Sequence, residues 1–211
     1  MILFIDTISL LPKITLIKNN NIIFSSKILM NNRKEISENI INKLIKLFNK
    51  KKYFNNLKKI FVCIGPGSYT GLRVGISVAI GISMVKNIPL YGYSAFDAFL
   101  EYAMKYYKFN NLYILIQSNK NQNFIVAYNK KNKQIVKPQK IRDMNEFFSK
   151  KIINNSIMIS NEKFHKNNNP YKHRFSKTID INLSDMLSKI DLINIIKYKK
   201  NLSPIYFSNI Y

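Results

Sequence analysis

The stretch GPGSYTGLRVG, at residues 65–75, decides the fold because it joins a predicted strand to a predicted helix. It holds four of the six glycines in a chain of 211 residues, and Gly81 follows within the same helix. Glycine is favoured where the backbone needs a positive φ or where two segments approach closely. The clustering therefore predicts a tight strand-to-helix turn that leads into a closely packed helix.

Alternating strands and helices surround this stretch and predict an α/β fold. Hydrophobic patterns predict strands at 2–8, 13–18, 22–29, 59–64 and 89–93, and helices at 34–49, 72–85 and 94–105. Ser68 or Thr70 is a suitable N-cap for the helix at 72–85. The order β-β-β-α-β-α-β-α predicts one domain over residues 1–108.

The second half, residues 109–211, shows the same alternation less clearly. Strands are predicted at 112–117, 123–128, 135–137 and 156–160, and helices at 143–149 and 184–198. The polar stretch 161–182 receives no assignment. We expect a smaller, divergent second lobe with a mixed sheet.

The net charge of +23 suggests a nucleic-acid partner at first sight. Lysine supplies 30 of the 34 basic residues, and arginine only four, in a sequence that favours residues with A/T-rich codons. Residues 1–104 carry 14 basic and 5 acidic groups and residues 105–211 carry 20 and 6, so the charge is not confined to a tail. Residue usage therefore explains most of the charge, and only a weak, salt-dependent attraction to RNA follows.

Several classes of protein are excluded by simple counts. Cys63 is the single cysteine, so neither an internal disulfide nor a thiolate metal cage is expected, and its apolar surroundings predict a buried strand position. The longest apolar run, at 74–85, is shorter than the roughly 18 residues of a membrane span. No basic segment precedes the first hydrophobic residues, so we expect no signal peptide and a cytoplasmic protein.

An anion-binding cradle is one interpretation of the glycine-rich turn, and a purely structural turn is the other. The candidate anion- or nucleotide-binding residues are Asp6, Thr7, Gly65, Gly67, Ser68 and Thr70. The turn lacks the Lys-Ser/Thr pair of a Walker A loop and is not a dinucleotide fingerprint. Actin-like ATPases place a glycine-containing phosphate loop where Asp6 and Thr7 stand, but Ile8 follows here and no glycine occurs after Gly92. We therefore expect no ATP hydrolysis by this chain alone, and Asp6 is either a turn cap or the remnant of a site.

The sequence has no residue pattern typical of a metal site or of a catalytic nucleophile. His165 and His173 are eight positions apart in an Asn/Lys-rich stretch, with Glu162 as the nearest carboxylate, which is not the spacing of zinc ligands. Ser68 has no histidine nearby and lacks the G-x-S-x-G elbow. We predict no catalytic residues and no metal site.

Two helices carry more apolar surface than one sheet face needs, so either the second lobe or a partner covers them. The helix at 34–49 has two apolar rows, and the helix at 72–85 is apolar nearly all round. We predict a partner interface made of Ile36, Ile40, Ile41, Leu44, Ile45, Phe48, Arg73, Ile76, Ala79, Ile80 and Ser83.

Five segments together resemble the bacterial TsaB (YeaZ) family. They are ILFIDT at 2–7, ISE at 36–38, GPGSYTGLRVG at 65–75, GYS at 92–94 and PIY at 204–206. The resemblance implies an actin-like (ASKHA, RNase H-like) fold of two lobes. It also implies a role in forming N6-threonylcarbamoyladenosine in tRNAs that read codons starting with A.

The resemblance further implies that the chain is a non-catalytic partner. In that family the catalytic paralogue TsaD carries the metal and nucleotide sites and pairs with TsaB through the first two helices of each protein. The expected partners are TsaD, TsaE, a second copy when TsaD is absent, and tRNA through the complex, with ATP and metal on partner subunits. The remaining alternatives are an active actin-like ATPase, a metallopeptidase-like enzyme and a basic tRNA-binding module.

The sequence departs from the family pattern at two places. Ile36 stands where the family usually has a histidine. Residues 117–122 read QSNKNQ where the family has a run similar to Asp-Ala-Arg-x-Gly-Glu. Contacts that those family residues make are therefore not expected here.

Overall fold

Two five-stranded mixed sheets with the same topology form the architecture. The computed structural model describes residues 1–9, 11–28, 35–119, 122–142, 144–149, 155–161, 175–190 and 202–207. Within these residues the strand order is β3-β2-β1-β4-β5 in the first sheet and β8-β7-β6-β9-β10 in the second. In each sheet the first three strands are antiparallel neighbours, and the last two are added in parallel.

The first lobe contains all the segments that flank the glycine-rich turn. Its strands are β1 (Ile2–Asp6), β2 (Lys13–Lys18), β3 (Asn21–Lys27), β4 (Lys59–Gly65) and β5 (Leu90–Ser94). Its helices are α1 (Ile36–Phe48), α2 (Lys51–Asn55), α3 (Tyr69–Lys86) and α4 (Ala95–Tyr106).

The second lobe follows after a short connection. Its strands are β6 (Asn111–Asn119), β7 (Gln122–Asn129), β8 (Gln134–Ile141), β9 (Ser156–Ser160) and β10 (Lys177–Asp180), and its described helices are α5 (Met144–Ser149) and α6 (Leu183–Leu187). The expected reduction of this lobe does not extend to its sheet, which has as many strands as the first. The described helices α5 and α6 are short, with six and five residues.

Alternate residues of the central strands point to opposite faces and so divide the core into layers. In β1, Leu3 and Ile5 pack with α1 and α3, whereas Phe4 packs in the layer shared by the two lobes. That shared layer also receives Leu112 and Ile114 from β6, together with side chains of α4 and α6. The two lobes therefore have a common hydrophobic layer between their sheets.

The predicted elements of residues 1–108 are confirmed, with shifts of three residues or fewer, and α2 is an additional helix. The side chain of Ser68 accepts a hydrogen bond from the Gly71 N–H, so Ser68 is the N-cap of α3. Cys63 is buried in β4, as predicted, and burial raises the pKa of its thiol well above the usual value.

In the second half, the strand at 156–160 is confirmed and the other predicted strands are longer than expected. Strand β10 lies in the stretch that received no assignment. The predicted helix at 184–198 begins as α6, and residues 191–201 lie outside the described residues. None of the described helices is long and apolar enough to cross a membrane.

Candidate functional site

The glycine-rich turn packs against the loop that follows β1. A Cβ atom added to Gly67 would lie 2.5 Å from Cγ2 of Ile8, and one added to Gly75 would lie 2.5 Å from Oγ1 of Thr7. A Cβ atom on Gly71 would overlap the carbonyl oxygen of Thr7. These glycines are therefore needed for close approach between α3 and the loop after β1.

The side chain of Asp6 forms hydrogen bonds within the same loop. One carboxylate oxygen accepts hydrogen bonds from the N–H groups of Ile8 (3.0 Å) and Ser9 (3.2 Å), and the other accepts one from the Ser9 hydroxyl at 2.6 Å. Of the two roles that the sequence left open for Asp6, the contacts favour a turn cap.

The space enclosed between these segments is narrow. Its volume is about 20 Å³, close to that of a single water-sized sphere, and its walls include Thr7, Ser68, Thr70, Gly71 and Ser118. Asp6 and Ser68 thus cap backbone N–H groups of neighbouring turns, and Gly67 packs against Ile8. This arrangement favours the purely structural interpretation of the turn, and anion or nucleotide binding at Asp6, Thr7, Gly65, Gly67, Ser68 and Thr70 stays a prediction.

Burial raises the pKa of the Asp6 carboxyl, although its hydrogen bonds to Ser9 and Ile8 partly oppose the shift. A carboxyl group with a raised folded-state pKa binds its proton more tightly in the folded chain than in the unfolded chain. Its contribution to the free energy of unfolding therefore decreases as the pH rises from 3.8 through the folded-state pKa.

Replacing Asp6 by Asn is expected to keep the turn and remove this pH dependence. The Asn oxygen can accept both backbone N–H groups, and its amide can donate to the Ser9 hydroxyl. At pH 7 the free energy of unfolding should be equal to or above that of the native chain. Asp6→Ala, which leaves buried N–H groups unpaired, should lose about 2 kcal/mol. Urea unfolding between pH 4 and pH 7 measures the free energy of unfolding of both variants. An Asp6→Asn protein that is as unstable as Asp6→Ala would contradict the turn-cap role.

The C-terminal segment 202–207 contacts the glycine-rich turn from the other side. The Ile205 N–H donates to the carbonyl of Ile64 at 2.7 Å, and Gly65 has a φ of 124° close to the Ile205 carbonyl. Only glycine adopts such a backbone conformation readily. Gly65 therefore serves a contact within the chain.

Arg73 lies on the outer side of α3, next to this segment. Its guanidinium carbon is 3.9 Å from the centre of the Tyr69 ring, which in turn lies 5.3 Å from the ring of Tyr206. Arg73 therefore makes a cation–π contact with Tyr69 within the chain. It places Arg73 at the first turns of α3, away from the groove described below.

Five of the predicted partner residues belong to the core of this chain. The side chains of Ile36, Ile40, Leu44, Ile76 and Ala79 are buried against the first sheet. Of these five, Leu44 also lines a surface groove. One of the two apolar rows of α1 is therefore used to cover the sheet, and a contact of these five residues with a partner stays a prediction. The hydroxyl of Ser83 donates to the carbonyl of Ile88 at 2.7 Å and is likewise used within the chain.

The second apolar row of α1 forms one wall of an exposed groove. Ile41 and Ile45 are 48% and 53% exposed, and with Phe48 they face the side of α3. The groove measures about 520 Å³ and is lined by Ile41, Leu44, Ile45, Phe48, Asn49, Phe54, Val78, Gly81 and Ile82. We call this surface the α1–α3 groove. None of the described residues in its lining carries a charge.

Nothing in the described chain requires the missing side chain of Gly81. A Cβ atom there would have no neighbour within 4 Å, in contrast to Gly65, Gly67, Gly71 and Gly75. Glycine in a helix interior costs about 1 kcal/mol relative to alanine. Gly81 thus leaves room at the α1–α3 groove at the expense of helix stability.

Part of the apolar surface at and near the α1–α3 groove was not predicted from the sequence. Phe54, on the short helix α2, closes one end of the groove, and Met84 and Val85 are more than three-quarters exposed at the end of α3. Ile80, which was predicted, is partly exposed on the outer side of α3. The signal for Phe54 was available, since two aromatic residues follow three consecutive lysines in a polar stretch.

No group of three or more His, Cys, Asp or Glu side chains that could hold a metal ion occurs in the part of the chain that the structure describes. Glu162, His165 and His173 lie outside that part, so the predicted absence of a metal site stays a prediction.

A protein-family model and a curated relative match the sequence. The family model is described as "TsaD: tRNA N6-adenosine threonylcarbamoyltransferase" and matches residues 29–199. The chain is 26% identical over 116 residues to the tRNA threonylcarbamoyladenosine biosynthesis protein TsaB of Buchnera aphidicola subsp. Schizaphis graminum. That alignment covers 51% of this chain and 55% of the relative, so the chain matches about half the length of the curated protein.

Solved structures match the fold over nearly the whole chain. YeaZ from Pseudomonas aeruginosa superimposes with a TM-score of 0.63 and 13% identity, covering 98% of this chain and 99% of that one. A Bacteroides thetaiotaomicron protein with an actin-like ATPase fold gives a TM-score of 0.52 at 10% identity, covering 89% and 94%. At such low identity these matches show the fold alone, and they confirm the actin-like two-lobe prediction.

Proposed function

Because the chain belongs to the family that the TsaD model describes, and within it to the TsaB (YeaZ) proteins, we propose that it acts in forming N6-threonylcarbamoyladenosine in tRNA. Its role is that of a non-catalytic scaffold that docks the catalytic paralogue TsaD. TsaE joins the complex, ATP and metal are bound by the partner subunits, and tRNA is reached through the assembly.

The loop that ATPases of this fold use for phosphate has a structural task here, which supports a non-catalytic role. The Asp6 carboxylate caps its own turn, and Thr7 fills the space left by Gly71 and Gly75. ATP turnover by the isolated chain that is abolished by Asp6→Asn would favour the alternative of an active ATPase.

The observation that carries the scaffold proposal is the α1–α3 groove. The exposed apolar surface of Ile41, Ile45 and Phe48 is stabilised when a partner removes it from water. The missing side chain of Gly81 allows a partner's backbone to come close. The family model that this chain matches is that of TsaD, so the partner has a related fold and can present its own equivalent helices. When TsaD is absent, a second copy takes its place at the groove and forms a homodimer.

Replacing Ile45 by Asp is expected to lower the retention of TsaD at least tenfold, because a carboxylate would be buried in an apolar contact without a partner. Tagged chain and TsaD from the same organism are co-expressed and purified together. Ile45 is about half exposed, so the free chain should keep its melting temperature. By contrast, substitutions at Ile40 or Ala79 would report on folding, since both side chains are fully buried.

Met104→Asp is the matched control, because Met104 is an apolar residue 47% exposed on a different helix, α4. It should leave TsaD retention unchanged. Retention of TsaD by Ile45→Asp at the native level would exclude the α1–α3 groove as the docking site.

A further inference from the structure

Three lysines border the end of the α1–α3 groove that α2 closes. Lys50 and Lys51 are exposed and come directly after Asn49, which lines the groove. From α3, the Lys86 ammonium lies 4.5 Å from the centre of the Phe54 ring, which forms the end wall. An apolar groove thus has positive charge at one end.

The acidic groups of the same helices lie elsewhere. Glu38 is in the first turn of α1, about 15 Å along the helix from Phe48 at 1.5 Å per residue. The first turn of α3 contains no acidic residue. None of the described residues that line the groove is acidic. Within the described part of the chain, the lysines at the α2 end are therefore not balanced by a carboxylate of the groove.

On the basis of the proposed scaffold function, we infer that the groove receives a protein surface with apolar side chains at its centre and acidic side chains opposite Lys50, Lys51 and Lys86. The uncharged lining favours a protein over RNA, because phosphates cannot be desolvated against Ile41, Ile45 and Phe48 without a large cost. Charged groups at the rim of an interface mainly set the association rate and its dependence on salt.

The salt dependence of binding should distinguish TsaD from a second copy of the chain. Two copies of the chain each carry a net charge of +23 and repel each other at low ionic strength. Added salt screens that repulsion and strengthens self-association. The same salt weakens a complex in which acidic groups face the lysines.

The test compares the Kd for TsaD at about 50 mM and about 500 mM salt, where screening differs strongly. In the native chain the Kd should rise with salt, while light scattering should show self-association increasing. Lys51→Glu/Lys86→Glu should raise the low-salt Kd about fivefold and flatten its salt dependence. Lys86→Gln, which removes one charge without reversing it, should show a smaller effect in the same direction and guards against a folding defect.

Lys131→Glu/Lys133→Glu is the matched control, with the same change in net charge at exposed positions between β7 and β8. It should change the Kd less than about twofold. An equal effect of both double variants, or a TsaD complex that salt strengthens, would overturn the acidic partner surface. Unchanged TsaD binding with reduced retention on tRNA would assign the lysines to RNA instead and overturn it too. Failure of the native chain to bind TsaD would be a failure of the proposed function itself.

Discussion

Gly71→Ala is expected to lower the free energy of unfolding by about 3 kcal/mol, the upper range for an overpacked position. The added Cβ would overlap the carbonyl oxygen of Thr7 and lie 2.6 Å from the hydroxyl of Ser68. A backbone carbonyl cannot rotate away, and Ser68 is held by its bond to the Gly71 N–H. Either the loop after β1 or the first turn of α3 would have to move.

Gly81→Ala is the matched control in the same helix. Nothing lies within 4 Å of the added Cβ, so alanine should raise the free energy of unfolding by up to about 1 kcal/mol. Urea unfolding followed by circular dichroism measures both variants. Equal stabilities would show that the packing of Thr7 against α3 does not explain the glycine cluster.

Gly81→Leu is expected to weaken TsaD binding about 30-fold, equivalent to about 2 kcal/mol, without lowering the stability of the free chain. The leucine side chain would occupy the space in the α1–α3 groove beside Val78 and Ile82 that we assign to the partner backbone. In the free chain a Cβ atom at position 81 has no neighbour within 4 Å. The two effects are separable because no described residue packs against a Cβ atom at position 81.

The Kd from titration calorimetry and the melting temperature of the free chain together test this prediction. Gly81→Ala should weaken binding only a few fold, since a methyl group occupies much less of the groove. Binding of TsaD by Gly81→Leu with native affinity would show that the partner does not approach α3 there. A large fall in melting temperature would mean instead that Gly81 has a structural role in the free chain.

Helix α1 shows what hydrophobic periodicity can and cannot predict. The sequence reveals two apolar rows, and both were predicted to face a partner. The structure separates them, with Ile40 and Leu44 against the sheet and Ile41 and Ile45 at the surface. Adjacent residues such as Ile40 and Ile41 have the same chemistry, so only the position of the helix on the sheet distinguishes them.

The second sheet shows a limit of a different kind. Strands β6, β7 and β9 are marked by hydrophobic runs and were predicted, whereas the edge strand β10 is short, polar at its ends and was not. Its pairing with β9 is parallel and joins residues about 20 positions apart in sequence. Local residue preferences are weak for such strands, because the neighbouring strand largely determines whether they form.

The sequence by itself determined the alternation of strands and helices, the family and the importance of residues 65–81, because glycine clusters and hydrophobic periods are local properties of the chain. Only the tertiary structure decided what the glycines are for. Gly71 and Gly75 make room for Thr7, Gly65 makes room for Ile205, and Gly81 leaves space at the surface. The physical reason is that a missing side chain acquires its meaning from the segment that approaches it, and that segment can be distant in sequence.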